Sequence, residues 1–205
     1  MRYLLLISCL IIHTGCVSVY KDLQPATGDI NNLQRFRPAF TTALYRTHIN
    51  VIGKYLSGLL LLKTMPDSSV RIVFSTETGF KFFDFEFAAD GSFKVNYIIR
   101  QMNKGPVIKT LRKDFELILM RSLDPSTAYI RKDSQFVYYV FPQKKGFYYY
   151  ITNPRGDQLV RMERSSKRKP AVEAIMKNYS NGIPDTIGIT HKNFKFTIGL
   201  KKIER

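Results

Sequence analysis

Residues 70–99 read VRIVFSTETGFKFFDFEFAADGSFKVNYII, and this stretch decides the fold class. Val70, Ile72 and Phe74 alternate with Arg71 and Ser75, the period of a half-buried strand. Glu77-Thr78-Gly79 is a turn. In residues 80–87, Phe83, Phe85 and Phe87 share one face, and Phe80, Phe82, Asp84 and Glu86 share the other. Asp90-Gly91 is a hairpin signal. Phe93, Val95, Tyr97 and Ile99 then line one face of the returning strand, opposite Lys94, Asn96 and Arg100. Strands joined by turns this short pair antiparallel.

Outward from this core, the upstream stretches 39–50 and 54–63 read as strands, with a turn at Met65-Pro66-Asp67-Ser68-Ser69. Downstream, Asn103-Lys104-Gly105-Pro106 breaks the alternation. Val107, Leu111, Phe115, Ile118 and Leu119 then recur at helical spacing, which predicts an amphipathic helix within 106–121. Strands resume at 135–141, 147–152 and 158–164, and again at 186–191 and 194–203. Residues 171–178 fit a helix as well as a strand, and read as a strand because they lie between two strands. The tally is a mainly β domain over 39–205, with ten or eleven strands and one good helix. Val17 to Pro38 is polar and reads as a tether, with a short helix near Ile30 to Phe36. An antiparallel sheet of this size must close, stack or be covered. One helix covers only part of it, so its own aromatics or a ligand fill the rest.

The N-terminus reads as an export signal. Arg2 is followed by the apolar run Tyr3 to Ile12, broken by Ser8 and Cys9, too short for a spanning helix. Gly15-Cys16 resembles a bacterial lipobox, in which the cysteine is acylated; His13 stands where a branched apolar residue is usual. Leu6-Ile7-Ser8-Cys9 fits the letters better but leaves too short an apolar segment. Residues 1–15 are therefore expected to be a lipoprotein signal, Cys16 the lipidation site and 16–38 the tether. An ordinary signal peptide or short anchor is the alternative, and each of these exports the chain.

Charge then limits the partners. The chain has 32 Lys and Arg against 16 Asp and Glu, a net charge of +16. In an exported protein this favours anionic headgroups or acidic partners over nucleic acid. Arg161, Arg164, Lys167, Arg168 and Lys169, with Lys201, Lys202 and Arg205, are candidates for a phosphate-binding patch. With Cys9 removed and Cys16 acylated, no thiol remains for a disulfide or a metal site.

Catalytic signals are lacking. No P-loop, dinucleotide-binding glycine pattern or nucleophile elbow occurs. His48 and His191 stand apart, and His191, at a strand end, is expected in a solvated turn. Asp84 and Glu86 fall on an outer strand face beside basic residues, where solvation is expected. The chain reads as a non-enzyme without metal or cofactor.

The segments Ser57 to Phe87, Ala88 to Val95, Pro106 to Arg121, Gly182 to Ile189 and Phe194 to Leu200 resemble the LolA/LolB superfamily of lipoprotein carriers. More specifically, they resemble the LolB-like outer-membrane lipoproteins of Bacteroidota (DUF4292-type). The likeness is one of hydrophobic pattern and order over most of 40–203. It implies an antiparallel half-barrel whose concave apolar face, lidded by one or two amphipathic helices, takes the acyl chains of lipoproteins. On this chain that face comprises Val70, Ile72, Phe74, Phe83, Phe85, Phe87, Phe93, Val95, Tyr97 and Ile99. Val107, Leu111 and Phe115 form the lid. The implied partners are acylated lipoproteins, a periplasmic LolA-like carrier and outer-membrane lipids. The implied location is the periplasmic face of the outer membrane. Val17 after Cys16 carries no inner-membrane retention signal, and no acidic surface-export run follows. LolB proteins expose a Leu before a Gly in a loop between early strands. Here Thr78 holds that position, and Phe80 is the membrane-contact candidate. A structural or assembly lipoprotein, or a carrier of phospholipid or lipopolysaccharide, are the alternatives.

Overall fold

The computed structural model describes residues 18–51, 53–121 and 123–204; the signal, Cys16 and Arg205 lie outside them. Among the described residues, thirteen antiparallel strands form one sheet. They are β1 (Gln24–Ala26), β2 (Thr42–Val51), β3 (Lys54–Thr64), β4 (Val70–Ser75), β5 (Lys81–Phe87), β6 (Phe93–Ile98), β7 (Tyr129–Lys132), β8 (Val137–Pro142), β9 (Phe147–Thr152), β10 (Leu159–Ser165), β11 (Pro170–Ser180), β12 (Ile183–His191) and β13 (Phe196–Lys202). A helix, α1 (Gly105–Ile118), separates β6 from β7. The ambiguous segment 171–178 is strand: β11 pairs with β10 and β12. Asn181 and Gly182, with φ of 51° and 74°, form its two-residue hairpin with β12, a turn that needs two positive φ values.

The order β1-β7-β8-β9-β10-β11-β12-β13-β2-β3-β4-β5-β6 consists of two meanders joined at one seam. There, Phe196 of β13 pairs with Val51, and Lys202 with Tyr45. The chain completes β2 to β6, crosses the sheet through α1 and restarts at the opposite edge with β7. β1 and β6 stay at the two edges, so the sheet is not a closed barrel. It nevertheless curls. α1 meets Tyr148 and Tyr150 on β9 and Phe83 on β5. Seven strands lie between β9 and β5. In a flat sheet they would be about 38 Å apart, far more than one helix can bridge.

The two strands beyond the expected eleven are β1 and β7, too short to show alternation. β1 belongs to the stretch expected to be a tether, which instead wraps the domain. Val19 and Ser18 bond to the backbone of Arg168 and Lys167. Tyr20 stacks on Tyr149 at 4.2 Å and donates its hydroxyl to Glu163. With Leu23 it covers a small outer-face cluster of Tyr138, Val140, Tyr149 and Ile151. After β1 the chain turns onto the inner face as a 3₁₀ helix, Ile30–Phe36, which buries Leu33 in the main core.

The register sorts the connections into two rims. Val51 pairs with Lys54, Phe196 with Val51, Val172 with His191, and Ser165 with both Pro170 and Phe147. Ser75 pairs with Lys81, and Phe83 with Ile98. Loops 76–80, 99–104, 143–146, 166–169 and 192–195 therefore share one rim with the β2–β3 turn. Loops 37–41, 65–69, 88–92, 133–136 and 153–158 and the β11–β12 turn share the other, and loop 119–128 runs from there back toward the first.

Candidate functional site

The inner face under α1 is the candidate site. On β4 and β5, Ile72, Phe74, Phe83 and Phe85 are fully buried, and Val70 and Phe87 nearly so. Phe83 stacks on Phe85 at 4.5 Å and meets Phe115 of α1 at 6.0 Å. Phe93 packs on Phe85 and Phe87, at 5.3 and 5.0 Å. Leu111 and Phe115 are buried beneath the helix, while Val107 is half-buried nearer its N-terminus. Ten of the thirteen expected inner-face and lid residues are thus brought together against one core.

Bulges explain the others. Phe85 pairs with Val95 and Asp84 with Tyr97, so Asn96 is an extra residue on β6. A one-residue insertion moves every later side chain to the opposite face. Tyr97 therefore joins Asp84 on the outer face, 44% exposed, where Lys81 lies 5.8 Å from its ring. Ile98 takes the core position assigned to Ile99, which is half-buried beyond the strand. Val95 remains opposite Phe85 but, on the edge strand, is 36% exposed. A second bulge, opposite Phe74 and Ser75, frees Phe82 from the outer face to stack on Phe74 at 4.9 Å. Phe80 is exposed in the loop before β5.

Polar groups hold α1 from the other meander. His191 Nε2 lies 2.7 Å from Asp114 Oδ2, and Arg164 Nη2 donates to Oδ1 at 3.3 Å. Asp114 is wholly buried. Tyr150 donates its hydroxyl to the carbonyl of Leu117 at 3.1 Å, and Tyr148 to Glu116 at 3.3 Å. Burial opposes the Glu116 charge, but hydrogen bonds from Lys113 and Arg112 outweigh it and hold this carboxyl below its usual range. Burial beside Glu116 pushes the Tyr148 hydroxyl well up. At the helix C-terminus Met120 adopts φ of 51°, and Arg121 N–H returns to the Glu116 carbonyl. The Arg121 side chain ties this end to the carbonyls of Ala88 and Ser68.

His191 is therefore a buried hydrogen-bond partner of Asp114 and not a solvated turn residue. Its signal lay on the helix: Asp114 falls on the same stripe as Leu111, Phe115 and Ile118, where an acid needs a partner. Asp84 is also not solvated. Its side chain is 2% exposed, held by Arg71 through two 2.8 Å bonds and by Lys81 at 3.1 Å. Burial opposes that charge as well, and the Arg71 and Lys81 hydrogen bonds overcome it to lower its pKa. His48, by contrast, stacks on exposed Tyr55 and bonds its hydroxyl.

Clefts reach the inner face at the ends of α1. One of about 380 Å³ opens beside Phe87, Glu116 and Met120. One of about 480 Å³ opens between loops 143–146, 166–169 and 192–195, beside Thr110 and Arg164. Neither is lined by Ile72, Phe74, Phe83 or Phe85, whose space is taken by one another and by α1.

The fold is similar to that of a LolA superfamily protein of Nitrosomonas europaea. That structure superposes with a TM-score of 0.52 at 8% identity, over 87% of this chain and 93% of the other. The chain has a LolA-like fold. Other similar structures are a DUF1329 family protein of Desulfovibrio piger and a domain of Vibrio parahaemolyticus provisionally assigned to outer membrane lipoprotein sorting. The first gives a TM-score of 0.46 at 9% identity, over 85% of this chain and 88% of the other. The second gives 0.49 at 8% identity, over 85% and 90%. No protein-family model and no curated protein matches the chain. In this LolA-like fold the sheet, α1 and the polar anchors of Asp114 shape the inner face.

Proposed function

We propose that this protein is a non-enzymatic, LolB-like outer-membrane lipoprotein of the Bacteroidota type. In this reading it is anchored through Cys16 at the periplasmic face and takes the acyl chains of lipoproteins between α1 and the sheet. It receives them from a LolA-like periplasmic carrier and helps insert them into the outer membrane, with Phe80 the candidate membrane contact. The observation that carries this reading is the cover on the inner face: one amphipathic helix, and not a second sheet, lies on the aromatic surface of an open LolA-like sheet. Such a cover can be exchanged. Burying Leu111, Phe115 and Ile118 is worth about 1.5–3 kcal/mol each. An acyl chain of about 15 methylenes offers roughly 12 kcal/mol, enough to replace those contacts.

The dense packing of Phe74, Phe83, Phe85 and Phe115 also supports a second reading, a structural or assembly lipoprotein whose sheet is filled by its own side chains. Titration of the chain from residue 17 with a triacylated lipopeptide separates the two. Phospholipid and lipopolysaccharide serve as competitors. The carrier reading expects saturable binding, lost in Val107→Asp and kept in the outer-face control Tyr97→Asp. Binding of a competitor alone would make the protein a carrier of another amphiphile. A folded chain that binds none of the three would favour the structural reading.

A further inference from the structure

The two rims of the sheet carry opposite charge, although no single segment shows it. Loops 37–41, 65–69, 88–92, 133–136 and 153–158, with the helix end 119–121 and residues 203–204, hold five acids against three arginines among the described residues. At the other rim, loops 76–80, 99–104, 143–146, 166–169 and 192–195 hold nine Lys and Arg against one acid, Glu77. Arg100 and Lys104 come from the approach to α1, and Lys144 and Lys145 from the β8–β9 turn. Lys167, Arg168 and Lys169 come from the β10–β11 turn, and Lys192 and Lys195 from the β12–β13 turn. All nine are exposed. Among the described residues, Lys192 alone of them makes an ion pair, with Glu173.

The same rim exposes apolar groups. Val19, Tyr55 and Phe80 are 64%, 63% and 56% exposed, and Phe194 43%. The 480 Å³ cleft opens among the basic loops, lined by Lys145, Ser166 and Asn193, with room for a phosphate group. The described chain also starts here, since Ser18 and Val19 bond to the 166–169 loop.

We infer that this rim docks on the phosphate-bearing headgroups of an anionic lipid surface. Clustered bases supply attraction to anionic phosphates, and exposed rings and aliphatic side chains favour the membrane interface. A nucleic-acid groove would need the bases along a face that tracks a strand; here they crown loop tips at one end. This goes beyond the acyl-chain reading and does not need it. Docking orients the molecule with the acidic rim away from the lipid and the N-terminal end of α1 toward it.

The test is co-sedimentation of the full chain with phosphatidylcholine vesicles, with and without phosphatidylglycerol. One variant reverses four rim charges (Lys144→Glu, Lys145→Glu, Lys167→Glu, Arg168→Glu). A control makes the same charge change away from the rim (Lys63→Glu, Lys132→Glu, Arg155→Glu, Lys177→Glu). The wild type should prefer anionic vesicles, and the rim variant should lose that preference by about tenfold or more. The control should change it less than about twofold, and circular dichroism checks that both fold. Raising salt on the wild type gives the same answer without a variant, since a charge-driven preference must fade. Equal losses in the two variants would reduce the effect to net charge and overturn the inference. So would a wild type indifferent to phosphatidylglycerol or to salt. So would a single-stranded oligonucleotide that binds more tightly than the vesicles and through the same four residues. The vesicles hold no lipoprotein, so failure here leaves the groove reading intact, and failure to bind lipopeptide leaves the rim inference intact.

Discussion

The two meanders grip the same helix by different means. β2 to β6 presents Phe74, Phe83, Phe85, Phe87 and Phe93 along the helix, with the Ala88 and Ser68 carbonyls holding Arg121 just past its C-terminus. β7 to β13 presents Tyr148, Tyr150, Arg164 and His191, which bond to Glu116, Leu117 and Asp114. Apolar contact is non-directional and survives sliding; a buried ion pair does not, because leaving one partner unpaired is costly. The tyrosine side therefore fixes where α1 sits, and the phenylalanine side supplies adhesion without a fixed register. A lid that opens in this fold should part from the phenylalanine meander first.

Removing either grip gives the largest expected effects. Asp114→Ala strands His191 and Arg164 and should cost about 3–5 kcal/mol. Phe83→Ala should cost about 3–5 kcal/mol through the cavity it leaves. Urea unfolding measures both, and hydrogen exchange of α1 sharpens the contrast. Asp114→Ala should speed exchange along the helix beyond what the global loss of stability explains, whereas Phe83→Ala should not. Equal local effects would erase the proposed division. Tyr150→Phe removes one donor to the buried Leu117 carbonyl, which keeps the Met120 N–H, and should cost about 0.5–1.5 kcal/mol.

Acid probes the polar grip without a cavity. The Glu116 carboxyl titrates below its ordinary value of 4.5 when folded, so the unfolded chain binds the proton more readily. Its contribution is fully present above that ordinary value and is lost as pH falls through the lower folded one. The stability advantage of wild type over Glu116→Gln should be flat above about pH 5.5 and shrink below pH 4.5. An advantage that grows on acidification would contradict the direction of this shift. The smallest effects belong to the slipped strand. Tyr97→Ser and Val95→Ala should each change stability by less than about 0.5 kcal/mol, although alternation placed both beside Phe93. A loss of 2 kcal/mol or more at Tyr97 would mean that the bulge at Asn96 is wrong.

Much of this was legible in the chain. The alternation through 70–87 placed Ile72, Phe74, Phe83 and Phe85 on one face, and the spacing of Leu111 and Phe115 gave the helix stripe, because both signals are local and periodic. The 30–36 turn of helix was visible too, but its docking was not: nothing within 18–38 states that Leu33 has a core to enter. Tyr97 and Ile99 were misplaced because one extra residue inverts a strand's faces and leaves no mark on the hydrophobic count. Asp84 and His191 read as solvated because their partners are distant in sequence, Arg71 by 13 residues and Asp114 by 77.

The sequence by itself determined a basic, strand-rich chain with tight turns and one amphipathic helix, since period, turn chemistry and charge number depend on neighbouring residues. Only the tertiary structure decided that β13 closes on β2, that Asp114 is sealed between Arg164 and His191, and that nine bases from four separate loops meet at one rim. Those are facts of long-range pairing. Strand register carries each loop to its end of the sheet, and no local pattern specifies which distant strand will lie alongside.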